Sequence, residues 1–408
     1  MISCSNDFQY TPANRAASND KAKSACQWLR AVSTTSRQYT DVSHAGASMT
    51  REFKKTRHFW RKDARGYFGA VIILLVCLPA ASALPPTTAV GQDYGHIGTP
   101  ARITVGYQPY YAEAWSAAVI RGAHLEKQYL PVGSSVNFYI ASRGLVLVHA
   151  LEAGEIQIAY LGDVPAVLAA TSTDAAIVAV PATSENQCSV LLVRPGAPTH
   201  RAALVRWLNG KRMAVPRNSC SESFLDHLLR TYHIRPAAVY NQDPDTIATA
   251  FRAGLLDAAV VWQPAAARIQ STGLAHAALT GADLHWRDGA FLLIRNDLIR
   301  TRPDIVEDWL KAERAAENYL ADPANGPVVV KMLTAQTMTY TAADLRQALA
   351  SLSGKHADFT FTLQAQAVLQ RARDFLVRRH RLGAHARPAV QGRFAAAILR
   401  QPVSAAAQ

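Results

Sequence analysis

The sequence predicts an α/β protein of two lobes, with mainly parallel sheets flanked by helices and a helical C-terminal segment. Three observations predict this class. Strand and helix patterns alternate from residue 102 to about residue 295, as they do in parallel sheets with helical crossovers. After Asn296 only amphipathic helix patterns follow. A short module also occurs twice, at residues 151–166 and 251–265, which indicates one such unit in each lobe.

The repeated module consists of a helix end, Ala-Gly, a buried strand, an aromatic residue, a polar turn and Pro-Ala. Gly154 and Gly254 stand where a left-handed helix C-cap is expected, and Pro165 and Pro264 suit the first turn of the next helix. The carboxyl end of a buried strand that leads into a helix N-terminus is where such sheets hold ligands. Two copies therefore predict two ligand-binding junctions that face one cleft.

The remaining elements follow from the same periodicities and from the Gly and Pro residues that separate them. Strands are predicted near residues 102–107, 135–140, 156–160, 176–180, 188–193, 212–215, 237–240, 257–261 and 290–295. Helices are predicted near residues 114–129, 143–153, 164–170, 221–233, 244–253, 264–270, 303–321, 326–337, 342–352, 362–382 and 390–400.

Residues 1–83 are predicted to be a leader that precedes the folded lobes. A basic segment, an apolar run of about 14 residues from Gly66 to Pro79, and Ala81-Ser82-Ala83 are typical of a secretory signal peptide at about residues 49–83. Residues 1–48 are then an upstream extension. The run is shorter than the roughly 20 residues of a membrane span, although a membrane-anchored N-terminus is the alternative. The mature chain is therefore expected in the periplasm.

The net charge of +13 is concentrated at the two ends of the chain. Residues 1–83 contribute +7 and residues 371–408 another +7, so the body between them is about −1. Nucleic-acid-binding proteins carry basic residues on the folded body, interleaved with aromatic residues, so this distribution does not predict a nucleic-acid partner. The arginine-rich tail is interpreted as a solvated helix face.

The five cysteines divide between the leader and the mature chain. A lipid anchor at Cys77 is not expected, because Val76 is larger than the small residue that precedes such a site. Cys188 and Cys220 remain after cleavage, in a chain that would meet an oxidising compartment. Their spacing is compatible with one disulfide and equally with two buried thiols. No metal site is expected, since no His or Cys lies at ligand spacing around them, and no cofactor is implied.

Five turns between predicted strands and helices share one composition. Each combines small residues, which let the backbone approach a ligand, with a hydroxyl, amide or charged group at a helix start. Free N–H groups at helix starts, together with the helix dipole, bind anions without a metal. The turns are Gly106–Pro109, Ala141–Gly144, Tyr160–Asp163, Arg217–Ser221 and Trp262–Pro264.

These turns give the chain a resemblance to the periplasmic solute-binding proteins of ABC importers for taurine, alkanesulfonates and nitrate, with the thiamin-precursor binders as cousins. The resemblance runs from about residue 102 to at least residue 320. It is carried by the ordered set as a whole rather than by any one motif. The motifs are Gly106-Tyr107-Gln108, Leu125-Glu126-Lys127, the Ala153-Gly154 module through Pro165, Lys211 to Pro216 with Ser219 and Ser221, and Asp257 to Trp262 with Pro264.

The resemblance implies a type II periplasmic binding fold, with two lobes joined by two crossing segments. Lobe one is expected at residues 101–186 plus 290–408, and lobe two at residues 187–289. The crossings are expected near residues 185–194 and 287–295. Closure around a ligand would then be a hinge motion.

The function that the resemblance implies is binding rather than catalysis. It is the capture of a small sulfonate, such as taurine, an alkanesulfonate or an aryl sulfonate, by a monomer that delivers it to an ABC transporter permease. Nitrate, bicarbonate or a thiamin-pyrimidine precursor are alternative ligands. A secreted sensor module and an enzyme like the pyrimidine synthases are further alternatives, although the chain lacks the Cys-rich run that such an enzyme would need.

The resemblance also assigns roles to site residues. The amide of Gln108 and the seryl hydroxyls would donate to an oxyanion, Gly162 would admit the ligand to the backbone, and Asp163 would cap its helix or meet a ligand ammonium. Aromatic walls would enclose the organic part. Arg143 departs from the family pattern, and it either points inward to bind the anion or is solvated. The full predicted set is Tyr107, Gln108, Ser142, Arg143, Gly162, Asp163, Ser219, Ser221 and Trp262. Tyr110, Tyr111 and Trp115 crowd the first loop, which indicates a bulkier ligand or core packing.

Overall fold

The structure, a computed structural model, describes residues 92–352 and 359–400. The predicted leader, with its signal peptide and Cys77, lies outside these described residues. Among the described helices none is both long and apolar enough to cross a membrane.

The strands form two five-stranded sheets of the same design. The first has the order β2-β1-β3-β10-β4 and the second β7-β6-β8-β5-β9. In each sheet one strand, β10 or β5, runs antiparallel to its two neighbours, and the other four share one direction. The strands are β1 (Arg102–Tyr107), β2 (Ser135–Ile140), β3 (Ile158–Gly162), β4 (Ala175–Ser184), β5 (Val190–Val193), β6 (Arg212–Val215), β7 (Ala238–Asn241), β8 (Ala258–Val261), β9 (His276–Thr280) and β10 (Asp288–Arg295).

Helices follow most strands and form most of the chain after β10. They are α1 (Trp115–Ala123), α2 (Glu126–Tyr129), α3 (Gly144–Glu152), α4 (Asp163–Ser172), α5 (Arg201–Leu208), α6 (Cys220–Thr231), α7 (Pro244–Arg252), α8 (Ala265–Ser271), α9 (Asn296–Thr301), α10 (Pro303–Ala321), α11 (Gly326–Gln336), α12 (Ala342–Ala350), α13 (Leu363–Arg378) and α14 (Arg393–Leu399). The α/β class and the helical C-terminal segment are confirmed.

The repeated module supplies the central strand of each sheet. Its first copy forms β3 and leads into α4, and its second forms β8 and leads into α8. Gly154 and Gly254 have positive φ angles of 75° and 67°, which confirms the left-handed caps predicted there. A glycine reverses the chain at this position without the steric penalty of a side chain, so both strands start in equivalent places.

The chain passes between the two sheets twice. Residues 185–189 lead from β4 into β5, and residues 281–287 lead back from β9 into β10. The two antiparallel strands are therefore the ones that follow each crossing. This arrangement is the two-lobed one, and the exact lobe boundaries at residues 186 and 290 stay a prediction.

Four elements differ from the sequence expectation. The helix predicted over residues 114–129 divides into α1 and α2, because His124 adopts a left-handed φ of 54° that ends the first helix. Helices α5 and α9 and strand β9 were not predicted. Strand β9 is at the edge of its sheet and only partly buried, so its sequence lacks a strong apolar pattern.

An apolar cluster that contains residues of both lobes lies next to the crossings. Cys188, Cys220 and Trp262 from lobe two are buried in the same cluster as Tyr111 and Trp115 from the loop after β1. This shared core holds the first loop against lobe two and forms one wall of the site.

Candidate functional site

A narrow cleft of about 30 Å³ lies between the two sheets at the ends where strands lead into helices. Residues from both lobes line it, and most are small or apolar. The lining residues are Gln108, Tyr111, Arg143, Gly144, Leu145, Gly162, Pro165, Pro216, Arg217, Asn218, Ser219, Cys220 and Trp262.

Three helices begin at this cleft. Gly144 and Leu145 are the first residues of α3, Gly162 is the N-cap of α4, and Ser219 with Cys220 begins α6. The first N–H groups of a helix have no partner within the helix, and the helix dipole makes this end partly positive. Three such ends from two lobes make the cleft favourable for an anion.

Two arginines add positive charge to the lining. Arg143 is the N-cap residue of α3, and its Nη1 lies 3.1 Å from Oδ1 of Asp243 in lobe two. The two side chains keep 33% and 47% of their surface exposed, so the pair lies at the rim of the cleft. Arg217 also lines the cleft, and its backbone N–H donates to Asn241 Oδ1 at 3.0 Å.

The loop after β1 is hydrogen-bonded to lobe two. Nε1 of Trp262 donates to the carbonyl oxygen of Tyr110 at 2.9 Å, and the N–H of Ala112 donates to the carbonyl oxygen of Gln263 at 3.1 Å. Trp262 is only 4% exposed, so its ring is a fixed wall rather than a mobile surface group. The lobes are therefore closed against each other on this side of the cleft.

The structure brings five of the nine predicted site residues into the cleft lining: Gln108, Arg143, Gly162, Ser219 and Trp262. The hydroxyl of Ser219 is already engaged, because it accepts from the Glu222 N–H at 3.2 Å and donates to the Pro216 carbonyl oxygen at 2.6 Å. It therefore caps α6 and fixes the turn, and the ligand would meet the backbone there more readily than this hydroxyl.

The other four predicted residues do not line the cleft. Tyr107 ends β1 with its side chain on the opposite side, where its hydroxyl donates to Gln336 Oε1 at 2.5 Å. Ser142 is exposed outside the lining. The hydroxyl of Ser221 turns inward and donates to a backbone carbonyl oxygen at 2.7 Å. Asp163 is 3% exposed, and its Oδ1 accepts from the N–H of the next residue at 2.6 Å.

Buried carboxyl groups lie in the neighbourhood of the cleft floor. Burial, together with the nearby charge of Asp288, raises the pKa of Asp163 to about 7. Burial likewise raises the pKa of Glu113 to about 7, although the hydrogen bond from Tyr111 opposes the shift. The hydroxyl of Tyr111, which lines the cleft, donates to Glu113 Oε2. The floor of the cleft is thus linked to acidic groups that are neutral over part of the physiological range.

Cys188 and Cys220 form a disulfide, with their Cα atoms 6.0 Å apart. The spacing alone had left a disulfide and two thiols equally open. The bond connects residue 188 in the first crossing with the first residue of α6, so it holds the start of this helix beside the crossing. Within residues 92–352 and 359–400 no group of three or more His, Cys, Asp or Glu residues is placed to hold a metal ion.

Sequence reasoning missed eight lining residues: Tyr111, Gly144, Leu145, Pro165, Pro216, Arg217, Asn218 and Cys220. Several belong to turns that were predicted as ligand sites, so the turns were identified although these members of them were not. Asn218 was the one recognisable signal among them, because asparagine tolerates the positive φ of a tight turn. In the structure its φ is 56°.

Comparison with known proteins supports the same reading of the fold. Residues 118–280 match the family model described as ABC transporter, phosphonate, periplasmic substrate-binding protein. The taurine-binding periplasmic protein of Escherichia coli (strain K12) is 29% identical over 198 residues. The match covers 47% of this chain and 59% of that protein, so the chain spans less than two thirds of this relative. The matched region is therefore similar to the periplasmic substrate-binding proteins of ABC transporters.

Two solved sulfonate-binding proteins have the same fold. The alkanesulfonate-binding protein SsuA from Xanthomonas axonopodis pv. citri, bound to MOPS, superposes with a TM-score of 0.60 at 22% identity, covering 72% of this chain and 99% of that chain. The periplasmic aliphatic sulphonate binding protein SsuA from Escherichia coli gives a TM-score of 0.60 at 19% identity, covering 72% and 94%. At these identities the likeness concerns the fold. The taurine-binding protein and the two SsuA proteins are each named as binding proteins.

Proposed function

We propose that this protein is the extracytoplasmic binding component of an ABC importer and that its cleft binds a small organic sulfonate. The observation that carries the proposal is the convergence of three helix N-termini, those of α3, α4 and α6, on one cleft. A sulfonate has three oxygens that share one negative charge, so it can accept from N–H groups of several helices at once. Arg143 and Arg217 would add charge-assisted donors.

The walls of the cleft suit the organic part of such a ligand. Trp262, Tyr111, Leu145 and two prolines give an aromatic and aliphatic surface close to the three helix ends. Nitrate and bicarbonate have no apolar part to cover this surface, so a ligand with a hydrocarbon group gains more on binding.

The residues of the lining also indicate whether the organic part of the ligand carries a positive charge. Among the described residues that line the cleft none is a carboxylate, and Asp163, which could have met an ammonium group, is buried outside the lining. An ammonium group placed in the cleft would lose its water without gaining a partner. We therefore propose an alkanesulfonate or aryl sulfonate as the ligand in preference to taurine.

The cellular part of the proposal follows from the family. Periplasmic relatives deliver their ligand to a membrane transporter, so the predicted periplasmic location, the ABC permease partner and the monomeric state are proposed for this chain as well. The predicted signal peptide is consistent with this location.

A thermal-shift series tests the proposed ligand. The purified protein would be heated with hexanesulfonate, benzenesulfonate, taurine, nitrate, bicarbonate and a thiamin pyrimidine precursor. A ligand at 100 times its dissociation constant stabilises the native state by about 2.7 kcal/mol. We expect the largest shifts with the first two compounds. A larger shift with taurine or nitrate would contradict the proposed ligand class, and a shift only with the pyrimidine compound would favour the thiamin-precursor binders.

A further inference from the structure

Three carboxyl groups are buried together behind the floor of the cleft. Glu113, Asp163 and Asp288 are each at most 3% exposed. Arg371 of α13 interacts electrostatically with two of them, Asp163 and Asp288. Its guanidinium lies 4.9 Å from the centre of the Trp286 ring. Three ionised carboxylates beside one guanidinium would leave excess negative charge at a buried position, so the group must retain protons.

The contacts of two of these residues show where one proton belongs. Glu113 Oε2 accepts from Tyr111, but Glu113 Oε1 has no hydrogen-bond donor among the described residues. The single turn that holds Glu113 packs against β10, whose first residue is Asp288, and each carboxyl group shifts the pKa of the other. Asp288 itself accepts from Ser189 Oγ at 2.5 Å and from Ser184 Oγ at 3.5 Å. A proton held between the two carboxyl groups would satisfy the unpaired oxygen.

We propose that Glu113 and Asp288 share one proton when the lobes are closed, and that Glu113 thereby acts as a positioning residue for Tyr111 on the cleft floor. The shared proton would make ligand binding in the cleft depend on pH. This effect on ligand binding rests on the proposed function, whereas the shared proton itself does not.

The position of the pair connects it to lobe closure. Ser184 ends β4 before the first crossing, Ser189 stands just before β5, and Asp288 begins β10 after the second crossing. Tyr111 and Glu113 flank Ala112, whose N–H is bonded to Gln263 of lobe two. Opening the lobes would break this bond and admit water to the pair. Hydrated carboxyl groups ionise at their ordinary, lower pKa, so the closed arrangement binds one proton more than the open one.

Other charged groups face the pair from each element packed around it. Asp163 at the start of α4 adds negative charge, and Arg371 on α13 adds positive charge. In the second crossing Arg287 is paired with Glu185 of the first crossing at 3.4 Å. Because burial raises the pKa of Glu113 to about 7 from 4.5, the stabilisation is fully present below the lower value and is lost as the pH rises through about 7.

The test uses Glu113→Gln in the full chain without ligand. The amide hydrogens of glutamine replace the shared proton and cannot leave, while the amide oxygen still accepts from Tyr111. Urea unfolding would be followed from pH 5 to pH 8.5. One shared proton changes the ratio of folded to unfolded protein tenfold per pH unit between the two pKa values. Because the pKa of Asp163 is also raised to about 7, we expect the stability of the native sequence to fall more steeply than this. The slope of the variant should be smaller than the native slope by one proton, that is, by a factor of ten in the folded-to-unfolded ratio per pH unit.

Two further variants keep the test decisive. Glu155→Gln removes the same charge from an exposed position and should leave the slope as in the native protein. Tyr111→Phe removes a hydrogen bond that favours the ionised form of Glu113, so it should move the fall in stability to higher pH. An unchanged slope in Glu113→Gln would overturn the shared proton, and if that variant does not fold, a Tyr111→Phe profile identical to the native one would do so.

The ligand-binding arm uses hexanesulfonate as the probe. Calorimetry at pH 7 in two buffers of different ionisation heat counts the protons taken up on binding. We expect uptake by the native protein, with affinity weakening up to tenfold per pH unit, and none by Glu113→Gln. Binding without uptake in the native protein would overturn the link to closure. If hexanesulfonate binds neither protein, the proposed function fails, while the unfolding slopes still decide whether the proton is shared.

Discussion

Gly162→Ala separates ligand binding from folding at the floor of the cleft. Gly162 is the N-cap of α4, with φ −65° and ψ 168°, a conformation that alanine adopts freely. A methyl group there would lie 3.5 Å from Cys220 Sγ and 3.5 Å from the Tyr111 hydroxyl oxygen, which are ordinary contact distances. The substitution therefore fits the fold, but it places a carbon where a ligand oxygen would approach the first N–H groups of α4.

The expected change in stability is small because two effects oppose each other. Alanine restricts the unfolded chain, which stabilises the native state by about 0.4–1 kcal/mol. Alanine is also a poorer N-cap than glycine, which costs several tenths of a kcal/mol or more. The sum stays within about 1 kcal/mol of zero.

The expected change in affinity is larger. Hydrogen bonds to a charged group contribute roughly 1.5–3 kcal/mol each, so displacing one sulfonate oxygen from α4 should weaken binding roughly 10- to 150-fold. Calorimetry with hexanesulfonate measures the affinity, and thermal unfolding without ligand measures the stability. Gly383→Ala is the matched control, since a methyl group there has no atom within 4 Å. Affinity within twofold of the native value, in a variant of native stability, would refute ligand approach at α4.

Three other changes test separate parts of the site. Arg143→Gln should weaken hexanesulfonate binding about tenfold in calorimetry. It should cost at most about 1 kcal/mol of stability, because the ion pair with Asp243 is half-exposed. The control Asp243→Asn should leave the affinity unchanged or raise it, and equal losses of affinity in both variants would instead show that the ion pair acts in lobe closure. Reducing the Cys188–Cys220 disulfide, whose loop spans 32 residues, should lower the free energy of unfolding by about 3.5 kcal/mol, and unchanged urea midpoints with and without reductant would contradict this. Gly144→Ala should cost about 1–3 kcal/mol in urea unfolding, because its Cβ would lie 2.7 Å from a proline ring of α4, and native stability would show that the helices can separate.

Elements whose ends are set by local chemistry could be predicted from the sequence. Gly154 and Gly254 end their helices through a backbone conformation that depends on the glycine itself. The buried strands after them are short apolar runs of the kind that central strands require. Both modules were therefore placed within a few residues, and the α/β class followed from them.

The choice of residues within each turn was less predictable. Tyr107 is the last residue of β1 and Gln108 the first after it, and side chains alternate between the two faces of a strand, so neighbouring residues point to opposite sides. In the turn before α6, Ser219 lines the cleft and caps the helix, whereas Ser221 donates to the carbonyl oxygen of Cys188. The resemblance identified the turns, but the register of each turn was fixed only by packing.

Asp163 shows why the electrostatics of the site could not be predicted. At a helix start an aspartate is usually an exposed cap, and the sequence is compatible with that role. In the structure Gly162 is the N-cap, and Asp163 only accepts from the N–H of the next residue, Val164. Its carboxyl group is buried near Glu113, Asp288 and Arg371, which come from three other parts of the chain. The pKa of a buried acid depends on which charges surround it, and those charges meet only after both crossings are in place. A proton-linked cleft is therefore a property of the assembled fold, whereas an anion-binding cleft can be read from the helix starts.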